Sequence, residues 1–232
     1  KLHPSIKLHL TGNAMLMHAF GEAHQRDMTT LVPLMIVVMA IVLFILIRSW
    51  AATAIALFVS VLATFFSMGF AGAAGIVMNA GSGPAAFIVL TVAVAYAVHI
   101  ITQFMDDRRM GASNRVAVIN IVENHGFPIS LAGLTTAIGF LSLNASDAPP
   151  FHDLGNISAL GVIVAYAISF TLLPALLHVV PIRIKPAGRS FDSVMRPLGR
   201  IVVQFPLRFL LASAALVAGL GYGVTRIDQS EN

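Results

Sequence analysis

The chain has 232 residues, of which 57% are hydrophobic and only 10% are charged, and its mean hydropathy is +0.87. A soluble domain normally carries about 25% charged residues, so this composition excludes the soluble class and indicates an integral membrane protein. The formal net charge of +4 could suggest a nucleic-acid partner. The basic residues are confined to particular loops, however, and we expect no nucleic-acid partner and membrane lipids instead.

Six apolar runs are long enough to cross a membrane as helices, since roughly 17 to 25 apolar residues span the hydrocarbon core. Their lengths do not fit the alternating strands of about ten residues that build an outer-membrane barrel. We therefore predict an all-α membrane protein, a polytopic bundle of six transmembrane helices. The predicted spans are 31–47, 51–70, 85–104, 127–143, 157–180 and 209–224.

The segment before the first span predicts a short strand followed by a helix. Ile6, Leu8 and Leu10 alternate with polar residues, Gly12 and Asn13 interrupt that pattern, and residues 14–30 are typical of a helix. Because the chain begins at Lys1 and ends in a polar run directly after the last span, we interpret it as a fragment of a larger protein.

The basic residues predict the orientation of the helices. Three alternate loops hold Arg48; Arg108, Arg109 and Arg115; and Arg183, Lys185, Arg189, Arg196, Arg200 and Arg208. The opposite side has only Lys1, Lys7, Arg26 and Arg226. By the positive-inside rule, the first group of loops is cytoplasmic and both ends of the chain face outward.

The connections between the spans have characters of their own. The link RSW predicts an antiparallel hairpin of spans one and two, with Trp50 at the interface. Pro84 is expected just inside the third span. The spacing of Val116, Ile119 and Val122 predicts an amphipathic helix on the inner membrane surface. The Pro- and Gly-containing segment 181–208 is interpreted as a linker between two halves of a protein.

The third span carries the residues that bear most directly on function. Tyr96, His99, Gln103 and Asp106 follow steps of three, four and three, so they share one helix face. His99 is the titratable group nearest the middle of the membrane, where ionisable groups usually mark an ion or proton path. A neutral His99 that only hydrogen-bonds a neighbouring helix remains an alternative.

The fourth and fifth spans offer weaker signals. Thr135 and Thr136 lie near small residues, a pattern that fits helix packing as well as a relay. After Pro149 and Pro150, His152 and Asp153 suggest a turn in which Asp153 caps the next helix. They lack a third ligand of suitable spacing, so we predict no metal site. Without HExxH, GxSxG or P-loop motifs, we expect neither an enzyme nor a cofactor.

Three segments resemble the resistance-nodulation-division (RND) superfamily of exporters, in the branch of the mycobacterial large membrane proteins and the hopanoid and lipid exporters. They are PISLAGLTTAIGFLSLNASDAPPFHDLGNISALGVIVAYAISFTLLPALL at 128–177, VAYAVH at 94–99, and LTGNAML at 10–16 together with Asp27. The block at 128–177, two helices joined by a Ser-Asp-x-Pro-Pro turn, is the most specific of the three.

The resemblance implies a division of the chain and a location. Residues 1–28 would be the tail of a periplasmic porter domain, and 29–180 a five-helix unit like a sterol-sensing domain. Residues 181–208 would be a cytoplasmic linker, 209–224 the first helix of the second half, and 225–232 the start of a second periplasmic domain. The protein would lie in the bacterial inner membrane with both ends of this fragment periplasmic.

The resemblance also implies proton-motive-force-driven export of lipidic or amphiphilic molecules, with a proton relay shared by both halves. Its acid would fall at Ala95, or at Tyr96 in a variant form, and neither is acidic. The coupling candidates are therefore Tyr96, His99, Gln103, Thr135 and Thr136. The expected partners are the second half of the same polypeptide and a lipidic substrate, and a homo-oligomer is possible. A non-transporting lipid-sensing or scaffold module is the alternative.

Overall fold

The structure is a computed structural model that describes residues 12–76, 82–182, 197 and 199–224. The strand predicted around Ile6 to Leu10 lies outside these residues, as do most of the predicted linker 181–208 and all of the segment 225–232. Every regular element in the described part is helical.

Seven α-helices have both ends within the described residues, which also include helical residues at 199–204. They are α1 (Asn13–Ile47), α2 (Trp50–Ala73), α3 (Ala85–Arg109), α4 (Asn114–Asn120), α5 (Gly126–Leu141), α6 (Pro149–Val179) and α7 (Pro206–Val224). A π-helical turn, Ile121–His125, joins α4 to α5, and a 3₁₀ turn, Ser142–Ala145, follows α5. If α4, the π-helical turn and α5 are counted as one segment, six helical segments among the described residues are long and apolar enough to cross a membrane. This confirms the predicted fold class.

The chain divides into two compact units, residues 1–184 and 185–232. The first unit holds α1 to α6 and the core described below. The second holds α7, whose 19 residues from Pro206 to Val224 agree with the predicted sixth span to within a few residues.

The core of the first unit lies between α2, α3 and α6, and small residues allow these helices to approach closely. Gly161 on α6 faces Val89 on α3 so tightly that an added Cβ would lie 2.2 Å from Val89 Cγ2. Gly155 likewise lies against α5, where a Cβ would be 2.5 Å from the carbonyl oxygen of Phe140. Packing in this core therefore depends on glycines, which have no side chain, as much as on large apolar residues.

Helices α1 and α2 form the predicted hairpin through a two-residue connection, Arg48 and Ser49. Arg48 ends α1 in the left-handed conformation, with φ 57°, and its backbone N–H donates to the carbonyl of Phe44. Trp50 is 75% exposed and its ring centroid lies 4.1 Å from that of Phe44. The sequence predicts that Trp50 lies at the membrane interface, and its indole is exposed at the surface of the hairpin.

The short helix α4 corresponds to the predicted amphipathic helix, but its packing face differs from the row of apolar residues in the sequence. Ala117 and the following Ile121 are fully buried, whereas Val116, Ile119 and Val122 are between 42% and 50% exposed. A small alanine on the inner face lets α4 lie close to α3, and the larger apolar row is left on the outer surface.

Helix α6 begins earlier than the sequence predicts, at Pro149 rather than at Ile157. Prolines are compatible with the first helical turn because their missing N–H would have no partner there. The expectation that Asp153 caps this helix is wrong, since Asp153 lies inside it and the N-cap residue is Ala148. His152 Nε2 instead lies 2.7 Å from the carbonyl oxygen of Ser146.

Pro84 also lies one position earlier than expected, as the N-cap of α3 rather than inside it. Its carbonyl accepts the backbone N–H of Ile88 at 3.1 Å, and so it starts the helical hydrogen-bond pattern. Further along the fold, Pro174 is buried inside α6, between Leu173 and Leu177 on the core side.

Candidate functional site

An open groove of about 510 Å³ runs along the first unit where α3 and α5 diverge. Its polar lining consists of Tyr96, His99, Thr102, Gln103, His125 and Thr136. Small residues, among them Ala95 and Ala132, form part of its walls. Polar side chains in a groove at membrane depth are costly, and they normally mark an ion or substrate path.

Helix α3 supplies the row of candidates that the sequence predicts. Tyr96, His99 and Gln103 all line the groove, as their spacing of three and four residues requires. Their exposure differs: the His99 side chain is exposed in the groove, Gln103 is half-buried and Tyr96 is buried. Of these three residues, His99 thus has the accessible titratable group, whereas the phenol of Tyr96 is buried.

The two threonines of α5 are separated by the structure. Thr136 lines the groove, and its hydroxyl donates to the carbonyl of Ala132 at 2.7 Å. Thr135 is not among the groove-lining residues, and its hydroxyl bonds the carbonyls of Leu131 and Ala132 at 3.0 Å. In both residues the hydroxyl proton is used within α5, so each can only accept from another group.

The buried hydroxyl of Tyr96 reaches α5 beside Gly133. A Cβ added to Gly133 would lie 2.7 Å from Tyr96 Oη, so the glycine makes room for the phenol. That hydroxyl has no hydrogen-bond partner in the part of the chain that the structure describes. The ring packs edge-on against Tyr166 of α6, with centroids 6.2 Å apart.

A pair of hydrogen-bonded hydroxyls that the sequence analysis did not predict lies next to Tyr96. Tyr166 Oη makes a short hydrogen bond with Ser130 Oγ, and Ser130 Oγ donates to the carbonyl of Gly126 at 2.6 Å. Because the serine proton goes to that carbonyl, the tyrosine hydroxyl donates to Ser130. The sequence signal was weak, because Ser130 and Tyr166 are each one of several polar residues in their apolar spans.

The C-terminal end of the row on α3 also differs from the prediction. Asp106 does not line the groove; it is exposed and pairs with Arg109, with Oδ1 2.7 Å from Arg109 Nη1. Gln103 instead donates from Nε2 to Oδ1 of Asp107 at 2.9 Å. Asp107 is only 4% exposed, and its Oδ2 has no partner among the described residues. The four-residue step from Gln103 was the signal that could have found it.

The position where the resemblance would place an acid is part of the groove. Ala95 lines it directly, one residue before Tyr96, and no aspartate or glutamate is among the residues that line the groove. In the part of the chain that the structure describes, there is also no group of histidines and acids suited to a metal ion. The titratable groups of the groove are therefore Tyr96, His99 and His125.

The sequence matches the family described as the MMPL family over residues 2–209. The siderophore exporter MmpL5 of Mycobacterium tuberculosis is 26% identical over 221 residues, which are 92% of this chain and 23% of that protein. The hopanoid transporter HpnN of Rhodopseudomonas palustris is 31% identical over 116 residues, which are 49% of this chain and 12% of that protein.

A membrane protein of Methanocaldococcus jannaschii, MJ1562, is 23% identical over 184 residues, which are 77% of this chain and 47% of that protein. The chain thus spans less than half the length of each of these relatives. Since the family match covers far more than half of the chain, this multi-pass membrane protein belongs to the MMPL family of the RND superfamily.

Proposed function

We propose that this chain is the membrane unit of a proton-motive-force-driven exporter of lipidic or amphiphilic molecules. Its family supports export of such molecules, as do two of its relatives, a siderophore exporter and a hopanoid transporter. The protein would lie in the bacterial inner membrane, with the basic loops in the cytoplasm.

The observation that carries proton coupling is the groove in which His99 lies exposed beside hydroxyl and amide groups. An imidazole can take up and release a proton near neutral pH, which the alanine at position 95 cannot. In this proposal His99 carries the proton. Tyr96, Gln103 and Thr136 supply polar groups that keep the proton within the groove. Thr135, on the neighbouring face of α5, adds a further hydroxyl oxygen.

The open side of the groove is where a partner helix would complete the path. An exposed histidine facing acyl chains would be costly, so a polar helix from the second half of the same polypeptide is the expected cover. A carboxylate on that helix would supply the acid that Ala95 lacks. A homo-oligomer could provide the same cover.

The test is His99→Ala in the full-length protein, reconstituted in proteoliposomes. We expect proton-coupled export to be abolished while membrane insertion is preserved. His178→Ala is the matched control, because His178 is exposed at the far end of α6 and does not line the groove. Undiminished export by His99→Ala would remove His99 from the mechanism.

A second candidate function is a lipid-sensing or scaffold module that does not transport. It is favoured by an apolar cleft of about 460 Å³ between α1, α2 and α3, whose lining includes Met28, Val32, Met35, Phe65, Met68 and Leu90. Unbranched methionines adapt to varied apolar ligands. Labelling of this cleft by a photoreactive lipid, together with no proton flux in the full-length protein, would support the sensor over the exporter.

A further inference from the structure

We propose that Asp107 is the proton acceptor at the C-terminal end of the groove helix α3, where the path ends towards the cytoplasm. This inference rests on the proposed function and adds to it an acid that neither the sequence motif nor the groove lining contains. Asp107 would take the role of the acid that is missing at Ala95, from a position about 120° further around α3.

The burial of Asp107 sets it apart from the other acids of the first unit. Its side chain is 4% exposed, and it is the only acidic residue buried in the described part of the chain. One carboxylate oxygen, Oδ1, accepts a single hydrogen bond from Gln103. The other, Oδ2, is enclosed and has no hydrogen-bond donor among the described residues. Leaving a charged oxygen enclosed without a donor is costly, and a bound proton removes that charge.

Gln103 connects this acid to the groove. It lines the groove four residues after His99, and its amide holds Asp107 four residues further on. The eight-residue step from His99 to Asp107 is about 12 Å along a helix, with Gln103 midway. Gln103 is thus a positioning residue, which orients the carboxylate and leaves Oδ2 with free lone pairs.

The adjacent acid shows what an ordinary surface carboxylate does at this end of α3. Asp106 is exposed, and its carboxylate is paired with the guanidinium of Arg109 at 2.7 Å. Asp107 has no ion pair within the described residues, although basic residues lie next to it in sequence. Arg108 donates instead to the carbonyl of Ala112 at 2.6 Å.

Among the described residues, the elements packed around α3 bring few other charges to this end of the bundle. Helix α2 has no charged side chain. The charged and titratable groups of α4, the π-helical turn and the end of α6 are Arg115, Glu123, His125 and His178. Arg115, Glu123 and His178 are exposed, and His125 lines the groove. His125 is therefore the titratable neighbour that lies on the same path.

The proposed step involves a proton alone. A proton that arrives along the groove forms an O–H bond with a lone pair of the Asp107 carboxylate, which becomes a neutral carboxylic acid. Release of the same proton to cytoplasmic water restores the carboxylate. No other bond is made or broken.

The test compares Asp107→Asn with Asp106→Asn in the full-length protein in proteoliposomes, by proton flux and by infrared difference spectroscopy between acidic and alkaline pH. We expect Asp107→Asn to lose at least tenfold in proton flux and to lose the carbonyl band of a protonated carboxylic acid. Asp106→Asn should keep both. If Asp107→Asn does not accumulate, Asp107→Glu is used, and the band should then shift in frequency.

The outcomes separate this inference from the function on which it rests. An inactive His99→Ala variant, together with unchanged flux and an unchanged band in the Asp107 variants, would overturn the role of Asp107 and leave His99 as the carrier. Full flux in both the His99 and the Asp107 variants would overturn the proposed function and this inference together.

Discussion

Tyr96 Oη occupies the space that a Cβ at Gly133 would need, since the two positions are only 2.7 Å apart. The contact joins α3 to α5 directly behind the groove. A glycine on one helix thus makes room for the phenol of a groove-lining residue on the other helix.

Gly133→Ala should therefore destabilise the protein. Overpacking of a tight contact costs about 1–3 kcal/mol, which exceeds the gain of about 0.5–1 kcal/mol that alanine brings to a helix interior. We expect a lower midpoint of thermal unfolding in detergent. Gly139→Ala on the same helix is the control and should be neutral or stabilising, because no atom lies within 4 Å of the added Cβ.

The same contact predicts a specific rescue. Tyr96→Phe removes the oxygen, and the nearest remaining atom, Cζ, lies 3.6 Å from the added Cβ, an ordinary contact distance. Gly133→Ala should then cost less in the Tyr96→Phe background than in the wild type. Equal costs in the two backgrounds would show that the hydroxyl is not what the glycine accommodates.

Gly161→Ala should weaken the packing of α6 on α3. Its Cβ would lie 2.2 Å from Val89 Cγ2, so one of the helices must shift. We expect a loss of about 1–3 kcal/mol in stability, reduced when Val89→Ala supplies the missing space. Thermal unfolding of the two single variants and the double variant measures this coupling. Strictly additive losses would contradict the contact.

Ser130→Ala should leave the Tyr166 hydroxyl without its acceptor. Hydrogen bonds between membrane helices are worth about 0.5–1.5 kcal/mol, and we expect a loss of that size. Tyr166→Phe removes the donor, so Ser130→Ala should have a smaller effect in that background. The control is Ser142→Ala, whose hydroxyl is exposed and donates only to Gly139 of its own turn. A Ser130→Ala loss no larger than this control would mean that the interhelical bond contributes nothing.

The positive-inside topology predicts which sites a membrane-impermeant thiol reagent can reach. This part of the protein has no cysteine, so single cysteines can be introduced into it directly. In intact cells Asp147→Cys should be labelled, whereas Arg109→Cys and Arg189→Cys should react only after the membrane is opened. Labelling of Arg109→Cys from outside would reverse the orientation.

The fold class followed from composition and the lengths of the apolar runs because a membrane leaves few options for the backbone. Within lipid every backbone polar group must be paired inside the chain, and an apolar run of sufficient length satisfies this only as a helix. The ends of the helices were less certain. Pro149 begins α6 eight residues before the apolar run at Ile157, because prolines suit a first turn whatever their hydropathy.

The candidate row on α3 was also determined by the sequence, since spacings of three and four residues place Tyr96, His99 and Gln103 on one face of any helix. Which residue of a second helix faces that row depends on how the helices cross. Only the tertiary structure therefore brought Thr136 into the groove and left Thr135 outside it. It also separated Asp107, which is buried, from Asp106, which is exposed, because neighbouring residues on a helix point about 100° apart.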